Sequence, residues 1–248
     1  MDIAFADAAA RARSVRILAP ARPGIAGSDG WARPGRQVAD WAADVGAVCD
    51  DLGIERCAVL GWSAGGPFAL ACAAGLGGRV VRAATVGGMA PLVAPLSARQ
   101  LGLYLDQILF PLAPRRPAMA SLVLRASALT PARLVHFSLM RAVPPEDRPV
   151  VATLTPSDVA SWLREATRNG PGGVVDDYAT VGGDWGFAPS AVSLGVTVFQ
   201  GAADTLLPRA HAEALAGQLP AGHLDIVEGA GHFLLHTHLD RVLDALVD

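Results

Sequence analysis

The first group that could do chemistry is the serine in Gly61-Trp62-Ser63-Ala64-Gly65-Gly66. The apolar run Cys57–Leu60 precedes it and an alanine-rich helical run follows it, so the pattern G-x-S-x-G falls on a sharp strand-to-helix turn. Small residues let such a turn close, and the helix N-terminus beyond it favours developing negative charge. We therefore predict that Ser63 is a nucleophile. The alternatives are a serine that merely caps the helix and a dinucleotide-binding G-x-G-x-x-G turn, and the second fails because it needs glycine at position 63.

A serine hydroxyl becomes a good nucleophile only when a base takes its proton. His232 follows the predicted strand His223–Val227, and Asp204 follows the predicted strand Gly195–Gln200. The carboxyl ends of parallel strands meet at one edge of a sheet, so these loops are expected to converge. The order Ser, Asp, His, each after a strand, predicts a catalytic triad in which His232 is the base and Asp204 orients it. A surface histidine and a helix-capping aspartate are the alternatives.

The elements that must position these groups alternate along the chain. Short apolar runs predict buried strands, and stretches with apolar residues at helical spacing predict helices between them. The predicted strands are Ser14–Ala19, Cys57–Leu60, Val80–Val86, Gly195–Gln200 and His223–Val227. The predicted core helices are Phe5–Arg13, Gln37–Leu52, Ala64–Ala74, Arg209–Leu219 and His236–Val247. This alternation predicts an α/β fold with a mostly parallel, doubly wound sheet.

The character of the chain changes between Pro91 and Ser190. Prolines recur there and no convincing strand appears, whereas several stretches have helical spacing. The predicted helices in this region are Ser97–Phe110, Pro117–Leu129, Pro131–Arg141 and Pro156–Arg168. We therefore expect a core formed by residues 1–90 and 191–248, interrupted by a helical lid insertion at residues 91–190.

Composition excludes several classes of protein. The chain is 52% hydrophobic and 17% charged with a net charge of -3, which favours a large buried core and gives no sign of a nucleic-acid or membrane partner. All 20 basic residues are arginine, so lysine-dependent Schiff-base, pyridoxal-phosphate and Walker-type phosphate chemistry is excluded. The three cysteines lack metal-ligand spacing, and His232, His236 and His238 are a poor metal cluster because the last two begin a helix. We expect a cytoplasmic protein with no cofactor and no metal, acting on a small-molecule acyl substrate, with a homodimer left open.

Taken together, these motifs make the sequence resemble the α/β-hydrolase family from Phe5 to the C-terminus. The likeness includes Arg22-Pro23-Gly24 with Ser28-Asp29, the serine turn, Gly201-Ala202-Ala203-Asp204 with Pro208, and Gly231-His232-Phe233. It implies an acyl-enzyme in which Ser63 attacks a carbonyl, His232 shuttles the proton and Asp204 stabilises the imidazolium. It also implies that the backbone N–H of Ala64 donates to the oxyanion. Candidate substrate contacts are Trp62, Trp162, Trp185 and Phe187, with packing in the lid as the alternative.

The sequence departs from the family before its first helix. Family members carry three more strands there and a His-Gly loop that supplies a second oxyanion N–H, whereas here only Met1 to Ala4 precede the helix. The resemblance places one of those strands between Ser14–Ala19 and Cys57–Leu60, so we expect an N-terminally shortened fold whose true start lies upstream. Loss of one oxyanion donor costs on the order of 10²–10³ in rate.

The expected activity is the hydrolysis of an ester, lactone or related acyl bond in a small, mostly apolar substrate. Serine at position 63 argues against the related dehalogenases and epoxide hydrolases, which use aspartate there. Peptidase, perhydrolase, carbon–carbon hydrolase and acyltransferase variants share the triad and stay open. The alternative from another class is a catalytically impaired hydrolase fold retained as a binding protein.

Overall fold

The centre of the molecule is a four-stranded parallel sheet. The structure is a computed structural model that describes residues 3–30 and 35–247. Its strands are β1 (Cys57–Trp62), β2 (Val80–Val86), β3 (Val196–Gly201) and β4 (Gly222–Val227), and they lie side by side in that order. The register places Gly61 beside Thr85, and Thr85 beside Val198. All four carboxyl ends therefore lie at one edge of the sheet.

Helices cover both faces of this sheet. They are α1 (Asp7–Ala12), α2 (Trp41–Asp51) and α3 (Gly66–Gly75) before the helical insertion, and α10 (Arg209–Gln218), α11 (Leu234–Thr237) and α12 (Leu239–Val247) after it. Val198 belongs to a buried cluster with Leu70 of α3 and Leu215 of α10. The next residue, Phe199, belongs to a separate cluster with Val242 of α12. Because successive strand residues point to opposite faces, this division confirms the predicted doubly wound α/β architecture.

All the regular secondary structure between β2 and β3 is helical. Its helices are α4 (Tyr104–Leu112), α5 (Pro117–Ser127), α6 (Ala132–Ala142), α7 (Arg148–Thr153), α8 (Pro156–Ala166) and α9 (Gly172–Gly182). Leu109, Ala120 and Val175 form a small core of their own between α4, α5 and α9. Helices α7 and α9 were not predicted, because α7 is only six residues long and α9 opens with two glycines.

The predicted strand Ser14–Ala19 is wrong. These residues belong to no strand or helix, and within the described ranges no hydrogen bond is made by the backbone of Arg16 through Ala19. Leu18 is exposed, and β1 pairs with β2 alone in this part of the chain. An apolar run becomes a strand only where another backbone pairs with it, so the composition of Ser14–Ala19 was not sufficient. Met1 and Asp2, which the sequence analysis places before the first helix, lie outside the residues that the structure describes.

No single helix among residues 3–30 and 35–247 is both long and apolar enough to cross a membrane. Helices α5 and α6 meet that criterion only when taken together, and a bend of 103° separates them.

Candidate active site

Ser63 lies at the tight turn between β1 and α3. Its φ of 55° is in the left-handed region, which non-glycine residues adopt at a cost on the order of 1–3 kcal/mol and which recurs at functional sites. The turn requires glycine at position 61, because a Cβ there would lie 2.4 Å from the carbonyl oxygen of Gly65. A 3-10 turn over Ser63–Gly65 then leads directly into α3. The backbone therefore presents the Ser63 side chain beside a helix N-terminus.

His232 and Asp204 form a buried pair at the carboxyl ends of β4 and β3. His232 Nδ1 lies 2.9 Å from Asp204 Oδ2, and the exposed fractions of the two side chains are 8% and 0%. The Asp204 carboxylate also accepts the backbone N–H groups of Leu206 and Leu207 at 2.9 Å each and the side-chain amide of Gln200 at 3.2 Å. An ionised carboxylate can only accept hydrogen bonds, so His232 Nδ1 donates in its contact with Asp204. The Nε2 of the neutral ring is thereby left with a lone pair that can accept a proton.

The loop after β2 makes room for this pair. Gly87 has a φ of 49°, and a Cβ at this position would lie 3.2 Å from both Asp204 Oδ2 and His232 Nδ1. Its N–H donates to the carbonyl of Phe199 in β3 at 2.9 Å. The ends of all four strands therefore contribute to one site, as the sequence predicted for three of them.

Asp147 is a buried carboxylate that contacts the His232 loop and that sequence reasoning missed. Its carboxylate is 1% exposed and accepts the backbone N–H groups of His232 at 2.7 Å and Phe233 at 3.1 Å. Position 231 must be glycine, because a Cβ there would lie 2.3 Å from Asp147 Oδ2. Burial raises the pKa of Asp147, and the two N–H groups only partly offset that effect. In the sequence Asp147 looks like an ordinary helix cap before α7, but its side chain makes no capping bond.

A cavity of about 250 Å³ opens beside Ser63 and His232, and both residues line it together with Ala64. Its apolar wall comes from the loops after the strands and from α4 and α9. The residues that form this apolar wall include Met89, Leu101, Leu103, Phe110, Val181 and Leu207. A space of this size holds a small molecule of mostly hydrocarbon character.

Three polar side chains interrupt the apolar wall: Asp106 from α4, and Asp177 and Tyr178 from α9. The Tyr178 hydroxyl donates to Asp106 Oδ1 at 2.6 Å. Burial raises the pKa of Asp106, and burial together with the Asp106 charge raises that of Tyr178 well above its ordinary value. The cavity thus contains a hydrogen-bonded acid–phenol pair that was not predicted from the sequence.

Asp177 is held by Arg22, the first residue of Arg22-Pro23-Gly24. The Arg22 Nε lies 2.8 Å from Asp177 Oδ1, and Nη2 donates to Oδ2. The Arg22 guanidinium also lies 4.8 Å from the centre of the Phe68 ring. Helix α9 approaches this turn so closely that a Cβ at Gly173 would lie 2.2 Å from the carbonyl oxygen of Gly24. The motif therefore fixes α9, and with it one wall of the cavity.

The four aromatic candidates for substrate contact lie elsewhere. The Trp62 indole donates to the carbonyl oxygen of His232 at 2.9 Å and packs against its ring, so Trp62 supports the histidine loop. Trp185 is buried and donates to the carbonyl oxygen of Val181, and Phe187 packs against it. Trp162 is half-buried on α8. Within the described residues none of these four side chains lines the cavity, which is walled by aliphatic residues and Phe110 instead.

The other buried histidines have structural surroundings. His211 accepts the backbone N–H of Ala90 at 3.2 Å, and burial lowers its pKa to about 4. His236 stacks on Phe5 with ring centres 4.1 Å apart. Among residues 3–30 and 35–247, no group of three histidine, cysteine or acidic side chains is arranged to hold a metal ion.

Comparison with known proteins gives the fold a family. Residues 3–245 match the sequence profile of the alpha/beta hydrolase family. A meta-cleavage product hydrolase from Pseudomonas fluorescens has a similar structure, with a TM-score of 0.66 and 17% identity over 98% of this chain and 83% of that one. An esterase from Thermogutta terrifontis gives a TM-score of 0.66, 18% identity and coverages of 99% and 84%. An enol-lactonase from Burkholderia xenovorans gives a TM-score of 0.65 and 20% identity, over 100% of this chain and 87% of that one. At these identities the likeness shows a common fold, and no protein with a curated function matched the chain.

Proposed function

The chain belongs to the α/β-hydrolase family, and from this premise we propose that it is a serine hydrolase that cleaves an ester, lactone or related acyl bond through an acyl-enzyme. One observation carries the proposal. Ser63, in a left-handed backbone conformation, lines the same cavity as His232, whose Nδ1 is bonded to the buried Asp204. An alcohol, a base with a free lone pair and an orienting carboxylate are the parts that acyl transfer requires.

In the proposed reaction Ser63 Oγ bonds to the carbonyl carbon as His232 Nε2 takes the hydroxyl proton. The imidazolium so formed is stabilised by Asp204 at Nδ1. His232 then gives its proton to the leaving oxygen as the carbon–oxygen bond breaks, which leaves the acyl group on Ser63. Water then attacks the acyl carbon while His232 accepts its proton, and the bond from that carbon to Ser63 Oγ breaks as His232 returns the proton to Oγ, which releases the acid and restores the serine.

The developing oxyanion is assigned to the backbone N–H of Ala64, which follows the nucleophile and lines the cavity. A donor of this kind contributes on the order of 10²–10³ in rate.

Labelling with a fluorophosphonate tests the proposal directly. We expect one covalent adduct per chain, measured by intact mass, and its loss in Ser63→Ala. Ser161→Ala is the matched control, since Ser161 is an exposed serine on α8 outside the cavity wall. A wild-type chain that takes no label, or a Ser63→Ala chain that still takes it, would overturn the assignment. Competition between water and added alcohols then separates hydrolysis from acyl transfer by the products formed.

A further inference from the structure

The charges on the cavity wall are not balanced. Asp177 is paired with Arg22, so that pair carries no net charge. Asp106 accepts a hydrogen bond from the neutral Tyr178 hydroxyl, and within the described residues no arginine forms an ion pair with its carboxylate, although the charge of a protonated His232 acts on it and lowers its pKa. No arginine is among the described residues that line the cavity. While His232 is neutral, an ionised Asp106 therefore gives the lining of the cavity that holds the proposed nucleophile a net negative charge.

Burial raises the pKa of Asp106, and its position in α4 and its bond to Tyr178 oppose that effect. Asp106 lies in the first turn of that helix, where the N-terminal end of the helix dipole stabilises a carboxylate. The Tyr178 hydroxyl contributes a charge-assisted bond to Oδ1, whereas Oδ2 accepts no hydrogen bond within the described residues. Asp106 is half-buried and burial raises its pKa, so a cationic group that reaches Oδ2 from the cavity would stabilise the ionised form.

We propose that Asp106 is a specificity residue that binds a basic group of the substrate, so that the preferred substrate is an acyl compound with a primary ammonium on an apolar body. The aliphatic wall receives the hydrocarbon part, and Asp106 Oδ2 accepts an N–H of the ammonium. The inference rests on the proposed hydrolase function and narrows its substrate class. It also predicts exclusion of anionic substrates, because a second negative charge would be brought into the cavity that Asp106 lines.

A matched set of nitrophenyl esters tests this inference. The caproate, the aminocaproate and the monoester of adipate present a neutral, a cationic and an anionic end on chains of similar length. At neutral pH we expect kcat/KM for the aminocaproate to exceed that for the caproate by roughly 10- to 100-fold, the range for a hydrogen bond to a charged group. The adipate monoester is expected to be the poorest substrate.

The variants separate a bound cation from a general charge effect. Asp106→Asn should remove the preference for the aminocaproate over the caproate, while Asp106→Glu should keep part of it. Asp176→Asn removes the same charge from a neighbouring α9 residue that does not line the cavity and should leave the ratio unchanged. Thermal unfolding checks that each variant is folded, and the ratio of two substrates is independent of the active fraction.

Two outcomes overturn the inference: a wild-type preference for the caproate, or a cation preference that survives Asp106→Asn. Failure of the hydrolase proposal looks different, since then no ester is turned over at all. In that event calorimetric binding of aminohexanol against hexanol still tests Asp106. Equal affinity of the wild-type chain for the two alcohols would contradict its role as a cation site.

Discussion

Replacement of Asp147 by alanine removes the contact by which the helical insertion holds the His232 loop. The substitution leaves the buried N–H groups of His232 and Phe233 without their acceptor. Each unpaired buried donor costs about 1–3 kcal/mol. Relief from burying a carboxylate, the same effect that raises the pKa of Asp147, offsets part of this cost. We therefore expect a net loss of about 2 kcal/mol in the free energy of unfolding.

The effect on activity is expected to be larger than the effect on stability implies. The N–H of His232 belongs to the residue whose ring must meet Ser63, and a misplacement of about 1 Å costs on the order of 100-fold in rate. Asp147→Ala should therefore lower kcat by roughly 10- to 100-fold with little change in KM, because the cavity wall formed by α4 and α9 is untouched. Asp147→Asn keeps one acceptor oxygen, so its kcat should lie between those of the wild type and of Asp147→Ala.

Measurement combines urea unfolding with kcat and KM for a neutral nitrophenyl ester. Asp158→Asn is the control, because Asp158 accepts the backbone N–H of Thr155 in the capping box of α8 and is exposed. Its loss should destabilise the same insertion by about 1 kcal/mol without changing kcat. The reasoning is refuted if Asp147→Ala keeps wild-type kcat while folded, or if Asp158→Asn lowers kcat as much.

Two further predictions concern the turn and the buried histidine. Gly61→Ala places a Cβ 2.4 Å from the Gly65 oxygen, so it should lower the free energy of unfolding by about 3 kcal/mol or more and abolish ester hydrolysis. Gly65→Ala is the control and should have a small effect, because the added Cβ meets open space. Circular dichroism melts that show equal losses of stability for the two variants would contradict this. The pKa of His211 is lowered to about 4 from the ordinary 6.5, so the unfolded chain binds the additional proton and stability should fall by about 3 kcal/mol as the pH drops through that window. His211→Asn should flatten this pH dependence in urea titrations, and an unchanged slope would show that another group is responsible.

The parts of the site that follow strands were predictable from the sequence. Runs such as Val80–Val86 are mostly apolar because both faces of a parallel sheet are largely buried, and the structure places β2 over the same residues. Once the strands are known, Ser63, Asp204 and His232 each follow a carboxyl end, so topology alone brings them to one edge. Local pattern and global fold agree there.

The parts that depend on contacts distant in sequence were not predictable. Helix α9 opens with Gly172 and Gly173, which argue against a helix locally, yet Gly173 is needed because its backbone touches Gly24. Asp147 and Asp106 look like first-turn or capping acids until the fold brings them to the histidine loop and the cavity. The aromatic residues were predicted to contact substrate because a side chain such as Trp185 is large and apolar enough for either a core or a pocket, and the sequence alone does not distinguish the two.

A double-mutant cycle on Ser63 and His232 tests the central claim most directly. If the alcohol and the imidazole act as one unit, Ser63→Ala and His232→Ala should each lower kcat/KM for a nitrophenyl ester by about 10³-fold or more. The double variant should then be no slower than the worse single variant. Losses that multiply in the double variant, or a Ser63→Ala chain with wild-type kcat/KM, would contradict the account.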